Sequence, residues 1–295
     1  MVLSLICLLS ASAPQEEVAF SARFYYPPGD KRTSYSQIYV SSLDGSHRRQ
    51  LSSGKSEHIA PQWIGQTRLA WVTLPQKSEG KSTLEIYDLA KGKVVVRKQL
   101  SGDLFVSGQP ERGVPTLEGK SGRFLVGSSG QLSTVKHPDV ASYWDPPYRI
   151  EVDGKELVWK FDQGGGSGLS YTFGNDQKSL KLDATPNRFY CEDGKTLYLF
   201  AMLGGASAGS EMFVYRLDPE AGELKEILRD VNNVDFDASS RYWSGVEAYR
   251  PMSKYGKDKS VWTSSVYVGD LRTGKRWKIA SGLVFGESSQ IRPGI

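Results

Sequence analysis

The residues that could carry out chemistry are few and lie far apart in this sequence. Gly205 to Gly209 reads Gly-Ala-Ser-Ala-Gly, which matches the Gly-x-Ser-x-Gly pattern around the nucleophile of many serine hydrolases. In those enzymes the catalytic histidine follows the serine along the chain, and the last histidine here is His137. The segment is therefore interpreted as a hairpin loop of small residues rather than a nucleophile turn.

Two other short motifs resemble ligand-binding loops but fail at defined positions. Gly113 to Ser121 has five residues between its first glycine and its Gly-Lys-Ser, whereas a phosphate-binding loop has four. Asp235 begins a segment that resembles a calcium loop, but Ser240 replaces the glycine of position six and Val246 the glutamate of position twelve. Both segments are interpreted as turns between strands.

The histidines and cysteines do not form a recognisable metal-binding pattern. His47, His58 and His137 have no second histidine at a metal-ligand spacing. His58 is the best placed for binding because it lies just before a predicted inner strand, and a structural role is the alternative. Cys191 is the only cysteine outside the N-terminal apolar run, so no internal disulfide is expected. The sequence predicts no metal, no cofactor and no catalytic residue.

One segment combines aromatic and proline residues in a way that is typical of a contact surface. Residues 143 to 148 read Tyr-Trp-Asp-Pro-Pro-Tyr and lie in a predicted connection. Rigid exposed aromatic side chains are common anchors for ligands and partner proteins. Tyr143, Trp144, Asp145 and Tyr148 are therefore the candidate binding residues, together with His58. The alternative is that the aromatic side chains cap a groove inside the fold.

The elements that would position these residues come from a repeated strand–turn–strand pattern. Alternating apolar runs on either side of a glycine-containing turn predict β-hairpins. Such hairpins occur at 38–51, 84–96, 213–224 and 266–279. A second unit precedes several of them, most clearly at Pro61 to Val72. Together the two units give four antiparallel strands in about 40–50 residues, which is the size of one propeller blade.

The repeats predict an all-β fold that forms a single β-propeller with six blades. The blades are expected near 57–101, 104–138, 143–182, 186–229 and 231–282, and in 18–53 combined with the C-terminus. A five-blade alternative treats the middle of the chain as one blade with insertions. Ile291 to Pro293 repeats the Ile-x-Pro spacing of Ile59 to Pro61. The C-terminal segment is therefore expected to pair with the strand that begins at Val18 and to close the ring.

The stretch from Ser36 to Val72 resembles the repeat of TolB-type six-bladed propellers. The matching elements are Gln37-Ile38-Tyr39-Val40, Leu43-Asp44-Gly45-Ser46, Arg48-Arg49-Gln50-Leu51, Pro61-Gln62-Trp63 and Arg68-Leu69-Ala70-Trp71. The match extends over about 40 residues, is weaker at 186–246 and is poor across 104–182. The resemblance implies a WD40-like repeat fold, and it does not include the partner-binding N-terminal domain of that family.

The N-terminus and the charge distribution limit the location and the partners of the protein. Residues 2–9 are apolar and Ala11-Ser12-Ala13 fits the small-x-small cleavage rule, so residues 1–13 are predicted to be a signal peptide and 14–295 the propeller. No later stretch reaches the about 18 apolar residues that a membrane-spanning helix needs. The net charge of +4 is spread over the chain, which argues against nucleic-acid binding.

Two classes of function follow from these observations. The first is an exported, periplasmic or secreted, non-catalytic β-propeller, acting as a monomer, that binds a protein or peptide partner or a glycan. The second is a small propeller enzyme, a hydrolase or lyase acting on a sugar or lactone at the central channel. The second would need converging carboxylates, for which Glu57 and Asp235 are the candidates.

Overall fold

The chain folds into β-strands and turns, as the repeats predict. The computed structural model of the protein describes residues 17–25, 34–75, 81–100, 104–106, 114–119, 122–135, 148–161, 168–191, 194–203, 211–237, 239, 241–247, 250–251, 262–280 and 284–292. In these ranges every regular element is a strand. None of them contains a helix that is long and apolar enough to cross a bilayer.

The strands follow one another with short connections. The first seven are β1 (Val18–Tyr25), β2 (Ser34–Ser41), β3 (Arg49–Gln50), β4 (Glu57–Ile64), β5 (Arg68–Leu74), β6 (Thr83–Asp88) and β7 (Lys93–Gln99). The next eight are β8 (Phe105–Val106), β9 (Thr116–Gly119), β10 (Gly122–Val126), β11 (Leu132–Thr134), β12 (Tyr148–Val152), β13 (Lys155–Phe161), β14 (Gly168–Phe173) and β15 (Asp176–Lys181). The remainder are β16 (Thr185–Tyr190), β17 (Leu197–Leu203), β18 (Glu211–Asp218), β19 (Glu223–Arg229), β20 (Val231–Phe236), β21 (Tyr242–Glu247), β22 (Arg250–Pro251), β23 (Trp262–Thr263), β24 (Val266–Asp270), β25 (Arg276–Ala280) and β26 (Val284–Ile291).

These strands assemble into four-stranded antiparallel sheets with the order expected of propeller blades. Sheet C is β8–β11, sheet D is β12–β15, sheet E is β16–β19, and sheet F contains β20, β21, β24 and β25. The remaining eight-stranded sheet has two antiparallel halves, sheet A (β26-β1-β2-β3) and sheet B (β4–β7). A parallel bridge between Ser36 and Glu57 joins the two halves. The middle of the chain thus forms two separate sheets, C and D, whereas the five-blade alternative treats it as one blade with insertions.

The last strand pairs with the first, as the Ile-x-Pro repeat predicted. β26 lies antiparallel to β1, with Ile291 opposite Val18 and Val284 opposite Phe24. β26 is therefore the first strand of a sheet whose other strands come from the N-terminal part of the chain.

Burial explains why the strands of one sheet differ in composition. In sheet E the second strand is apolar on both faces: in β17, Leu197 to Ala201 are buried without interruption. The outermost strands β15 and β19 consist of exposed and half-buried residues. A strand that is covered on both faces favours a continuous apolar run, whereas an edge strand favours alternation.

The sheets pack face to face through apolar clusters that each combine residues of two neighbouring sheets. Sheets A and B share a cluster around Trp63 and Trp71, and sheets B and C share one around Ile86 and Leu117. Further clusters join D to E, E to F and F to A. The order of contacts F–A–B–C and D–E–F gives a β-propeller-like arrangement.

Polar side chains connect the inner strands of neighbouring sheets. The carboxylate of Asp235 in sheet F accepts the Ile291 amide of sheet A at 2.9 Å. The Gln290 side chain accepts the Trp63 amide of sheet B at 2.7 Å. The Gln62 side chain accepts the Thr116 amide of sheet C at 2.7 Å. Three successive sheet boundaries are thus fixed by the same kind of hydrogen bond.

The outer turns form a second set of contacts, and here the sheets alternate. A Cβ atom at Gly45, in the β2–β3 turn of sheet A, would lie 3.2 Å from the Ile279 Cα of sheet F. A Cβ at Gly130 of sheet C would lie 2.8 Å from Val96 of sheet B. A Cβ at Gly222 of sheet E would lie 3.4 Å from the side chain of Lys178 of sheet D. The turns of sheets A, C and E therefore pack on the preceding sheet.

Gly45→Ala is expected to destabilise the protein more than Gly274→Ala. Both glycines have a positive φ, +82° and +71°, so alanine costs about 1 kcal/mol of backbone strain at either site. At Gly45 the new methyl group also meets the Ile279 backbone, which adds about 1–2 kcal/mol, whereas Gly274 has open space. Chemical denaturation of both variants measures the difference, and equal losses would contradict the packing of this turn on sheet F.

Candidate functional site

His58 lies in a row of polar side chains that crosses all four strands of sheet B. His58 is on β4, Trp71 and Thr73 are on β5, Glu85 is on β6 and Arg97 is on β7. The strand register places His58 opposite Thr73, Trp71 opposite Glu85, and Glu85 opposite Arg97. Because all these positions share one face of the pleated sheet, their side chains meet.

Glu85 is the centre of this row. Its Oε2 atom accepts hydrogen bonds from the Trp71 indole at 2.9 Å and from the Thr73 hydroxyl at 2.8 Å. Its Oε1 atom accepts the Arg97 guanidinium at 2.8 Å. The His58 Nδ1 atom lies 3.6 Å from Oε2. A carboxylate that is only 9% exposed is thereby satisfied on both oxygens.

Both ring nitrogens of His58 face hydrogen-bond acceptors. Nδ1 lies 2.8 Å from the Thr73 hydroxyl, whose hydrogen is directed to Glu85, and Nε2 lies 3.2 Å from the Ser53 carbonyl. A carbonyl only accepts, so Nε2 is the donor in its contact with Ser53.

The same contacts govern the ionisation of Glu85. Burial by itself raises the pKa of the carboxyl group, but hydrogen bonds from His58, Thr73, Trp71 and Arg97 outweigh burial. The pKa of Glu85 is lowered from 4.5 to about 2. The carboxylate form is therefore the one that the folded protein stabilises.

The position of this row supports the structural alternative for His58. His58 and Trp71 are buried, and the Ser53 carbonyl belongs to the connection between sheets A and B. A ligand that bound the imidazole ring would have to displace Thr73 or Ser53. The row holds sheets A and B together through polar groups that are satisfied within the protein.

The other candidate binding residues lie in or beside the connection between sheets C and D. Tyr143, Trp144 and Asp145 fall outside the described residues, so their role stays a prediction. Tyr148 begins β12, where its backbone pairs with Trp159 of β13. Tyr148 and His58 belong to different sheets, D and B.

The two carboxylates considered for catalysis are engaged in contacts between strands. Glu57 pairs with Arg23 at 3.3 Å, and Ser34 lies within hydrogen-bonding distance of both side chains. Asp235 accepts the Ile291 amide and is buried. Glu57 is in sheet B and Asp235 in sheet F, and each stabilises the boundary of its sheet with sheet A.

The segment that resembles a calcium loop is a turn whose carboxylate is already occupied. Asp237 accepts the backbone amides of Ser239 and Tyr242. Among the described residues no group of three or more histidine, cysteine, aspartate or glutamate side chains is arranged to hold a metal ion.

Sequence reasoning missed a surface formed by the outer edge of sheet F. We call it the basic edge; it contains Arg272, Lys275, Arg276 and Lys278. All four side chains are exposed. The signal in the sequence was the run Arg272 to Lys278, which has four cations and no carboxylate.

Aromatic rings hold several of these cations in place. The Arg276 guanidinium lies over two rings, 4.8 Å from the centroid of Tyr267 and 5.2 Å from that of Trp243. Lys278 lies 5.2 Å from the Tyr267 ring and Lys275 lies 4.9 Å from that of Trp277. Cation–π contacts of this kind orient a side chain while leaving its hydrogen-bond donors directed outward.

Solved structures are similar to this chain at low sequence identity. The isopeptidase AtxE2 in its apo form is 14% identical, with 91% of this chain and 50% of that chain covered and a TM-score of 0.52. TolB from Acinetobacter baumannii is 14% identical over 94% of this chain and 67% of that chain, with a TM-score of 0.48. A protein from Lactobacillus plantarum is 12% identical over 94% and 99%, with a TM-score of 0.43. This chain spans about half the length of the isopeptidase.

These similarities concern the fold alone. TolB appears among them, as the resemblance of the repeats predicted. No family model matches the sequence, and no curated protein matches it. Isopeptidase activity is a property of AtxE2.

Glu85→Gln is expected to lower stability at neutral pH and to flatten the acid limb of the stability curve. A carboxyl with a lowered pKa contributes stability above its ordinary value of 4.5, and this contribution is lost as the pH falls toward about 2. The variant should lose about 2–3 kcal/mol at pH 7. The free energies of unfolding of the two proteins should converge as the pH falls.

Glu156→Gln is the matched control, because Glu156 forms an exposed ion pair with Arg149 at 3.0 Å. Exposed pairs contribute less than about 1 kcal/mol. Urea unfolding across the acid range measures both variants. The assigned role of Glu85 would be wrong if the two variants behaved alike.

Proposed function

We propose that the protein is an exported, non-catalytic β-propeller that binds a protein or peptide partner in the cell envelope and acts as a monomer. The observation that carries this proposal is the engagement of the side chains capable of acid–base chemistry. His58, Glu85, Glu57, Asp235 and Asp237 each make hydrogen bonds or ion pairs that hold strands or turns. A general acid or base must instead reach a substrate proton.

The fold is proposed to be a ring of six blades, with sheets A to F as the blades. The pairing of β26 with β1 supports closure of the ring between the two ends of the chain. The inner-strand hydrogen bonds at the F–A, A–B and B–C boundaries support the same order around the axis. A closed ring leaves no sheet boundary open at the axis and presents two broad faces to partners.

Export and the aromatic contact segment complete the proposal. Residues 1–13 are proposed to be a signal peptide that directs the propeller to the periplasm or to the medium. Tyr143, Trp144, Asp145 and Tyr148 are proposed to contact the partner, with a glycan as the other ligand class to be tested. His58 contributes by holding sheets A and B in place.

The test is expression of the full chain in a Gram-negative bacterium, followed by fractionation and N-terminal sequencing. A protein that has lost about its first 13 residues and is found in the periplasm is the expected result.

The purified protein and its Trp144→Ala variant are then used to capture partners from an envelope extract. We expect the Trp144→Ala variant to melt at the same temperature as the parent protein and to capture less partner. A large fall in its melting temperature would contradict the proposed contact segment. An intact Met1 in the cytosolic fraction would contradict the proposed export.

Deletion of residues 289–295 tests closure of the ring. It removes Gln290 and Ile291, and with them the pairing to Val18, Ala19 and Phe20 of β1 and the hydrogen bonds to Trp63 and Asp235. The loss should exceed by far the about 1 kcal/mol of a typical point mutation. Gln290→Ala is the smaller change; it should cost about 1–3 kcal/mol because the buried Trp63 amide loses its acceptor. A truncated protein that melts with the full chain would refute the closure.

A further inference from the structure

The basic edge differs from the rest of the surface in the way that its cations are paired. Each of the six sheets has at least one arginine within ion-pair distance of a carboxylate: Arg23, Arg68, Arg97, Arg123, Arg149, Arg229 and Arg241. Within the described part of the chain, no carboxylate lies within 4.0 Å of the cationic atoms of Arg272 or Arg276.

This concentration of charge is large for the whole protein. The basic edge carries four cations and no carboxylate, and the net charge of the entire chain is +4. The outer strand β19 of sheet E mixes the two signs, with Glu223, Lys225, Glu226 and Arg229. The outer strand β7 of sheet B is also basic, but its Arg97 is paired with Glu85. A local excess of one sign attracts a partner of the opposite sign and accelerates association.

The guanidinium of Arg276 is held in a fixed orientation before any partner binds. It lies over the rings of both Tyr267 and Trp243, so little rotamer freedom remains to be lost on binding. A planar guanidinium with free donors matches the two oxygens of a carboxylate. The same stacking covers the aromatic rings with cations, which leaves these ring faces unavailable for stacking on nucleic-acid bases.

The backbone of β25 adds a second recognition element. β25 is the last strand in the order β20-β21-β24-β25, and no further strand of the described residues pairs with it. The outward backbone groups of an edge strand can pair with an extended peptide. Lysine and arginine on such an edge repel a second copy of the same edge and favour an acidic strand.

We propose that the basic edge binds an extended, acidic segment of a partner protein, which pairs with β25 and places its carboxylates against Arg276 and Lys278. This inference rests on the proposed binding function and names the chemistry of the partner.

The test uses a short fluorescein-labelled peptide of alternating glutamate and threonine, with a lysine–threonine peptide of equal length as the charge control. Fluorescence anisotropy with the mature protein should give saturable binding of the acidic peptide that weakens with salt. Arg276→Gln combined with Lys278→Gln should weaken binding about tenfold or more. The matched control is Arg216→Gln with Lys225→Gln, two exposed cations opposite each other in sheet E, which should leave binding unchanged.

Hydrogen exchange with the bound peptide separates strand pairing from loose charge attraction. The amides of β25 should become protected while those of β19 do not. Circular dichroism and melting temperature of both double variants should match the parent, since all four side chains are exposed. The proposal is overturned if the two double variants bind equally or if β25 gains no protection.

Two further outcomes would also overturn the proposal of an acidic peptide partner. One is tighter binding of single-stranded oligothymidylate than of the acidic peptide. The other is tighter binding of phosphatidylglycerol vesicles than of the acidic peptide. The proposed function is judged separately. If the Arg276/Lys278 variant still captures the envelope partner in full, the protein binds elsewhere and only this inference fails. If the acidic peptide binds as expected but no partner is captured, the proposed function is wrong, while peptide binding by the basic edge remains supported.

Discussion

The arrangement of the sheets depends on buried polar side chains that accept backbone amides across sheet boundaries. Asp235, Gln290 and Gln62 occupy equivalent places on the inner strands of sheets F, A and B, and each accepts an amide of the following sheet. All three side chains are buried, where an unsatisfied amide or carboxylate would cost about 1–3 kcal/mol or more. Apolar packing alone would tolerate sliding of one sheet on another, whereas these directional bonds fix the relative position of the strands.

The outer edge of sheet F differs from sheet B in how its polar groups are satisfied. The row from His58 to Arg97 crosses sheet B and satisfies its polar groups internally. In the basic edge, Arg272 and Arg276 have no carboxylate within ion-pair distance among the described residues. This difference is the reason why recognition is proposed at the outer edge of sheet F.

Much of the fold could be predicted from the sequence because its signals are local. Alternating runs and glycine turns indicated the hairpins, and the spacing Ile59 to Pro61, repeated at Ile291 to Pro293, indicated the pairing of the chain ends. The environment of His58 could not be predicted, because its relation to Glu85 depends on the register of three strand pairs and on an irregularity between Ile59 and Gln62. The cations of the basic edge are close in sequence, but their lack of carboxylate partners depends on which residues the fold brings next to β25.

The alternation of the outer turns has a consequence for how the chain could be lengthened. Turns at Gly45, Gly130 and Gly222 are wedged against a neighbouring sheet, so any inserted loop there would push two sheets apart. Turns at Gly174 and Gly274 have open space around them, and Gly92 touches only Tyr87 of its own sheet. Insertions and fused domains should therefore be tolerated better in the outer turns of sheets B, D and F than in those of sheets A, C and E.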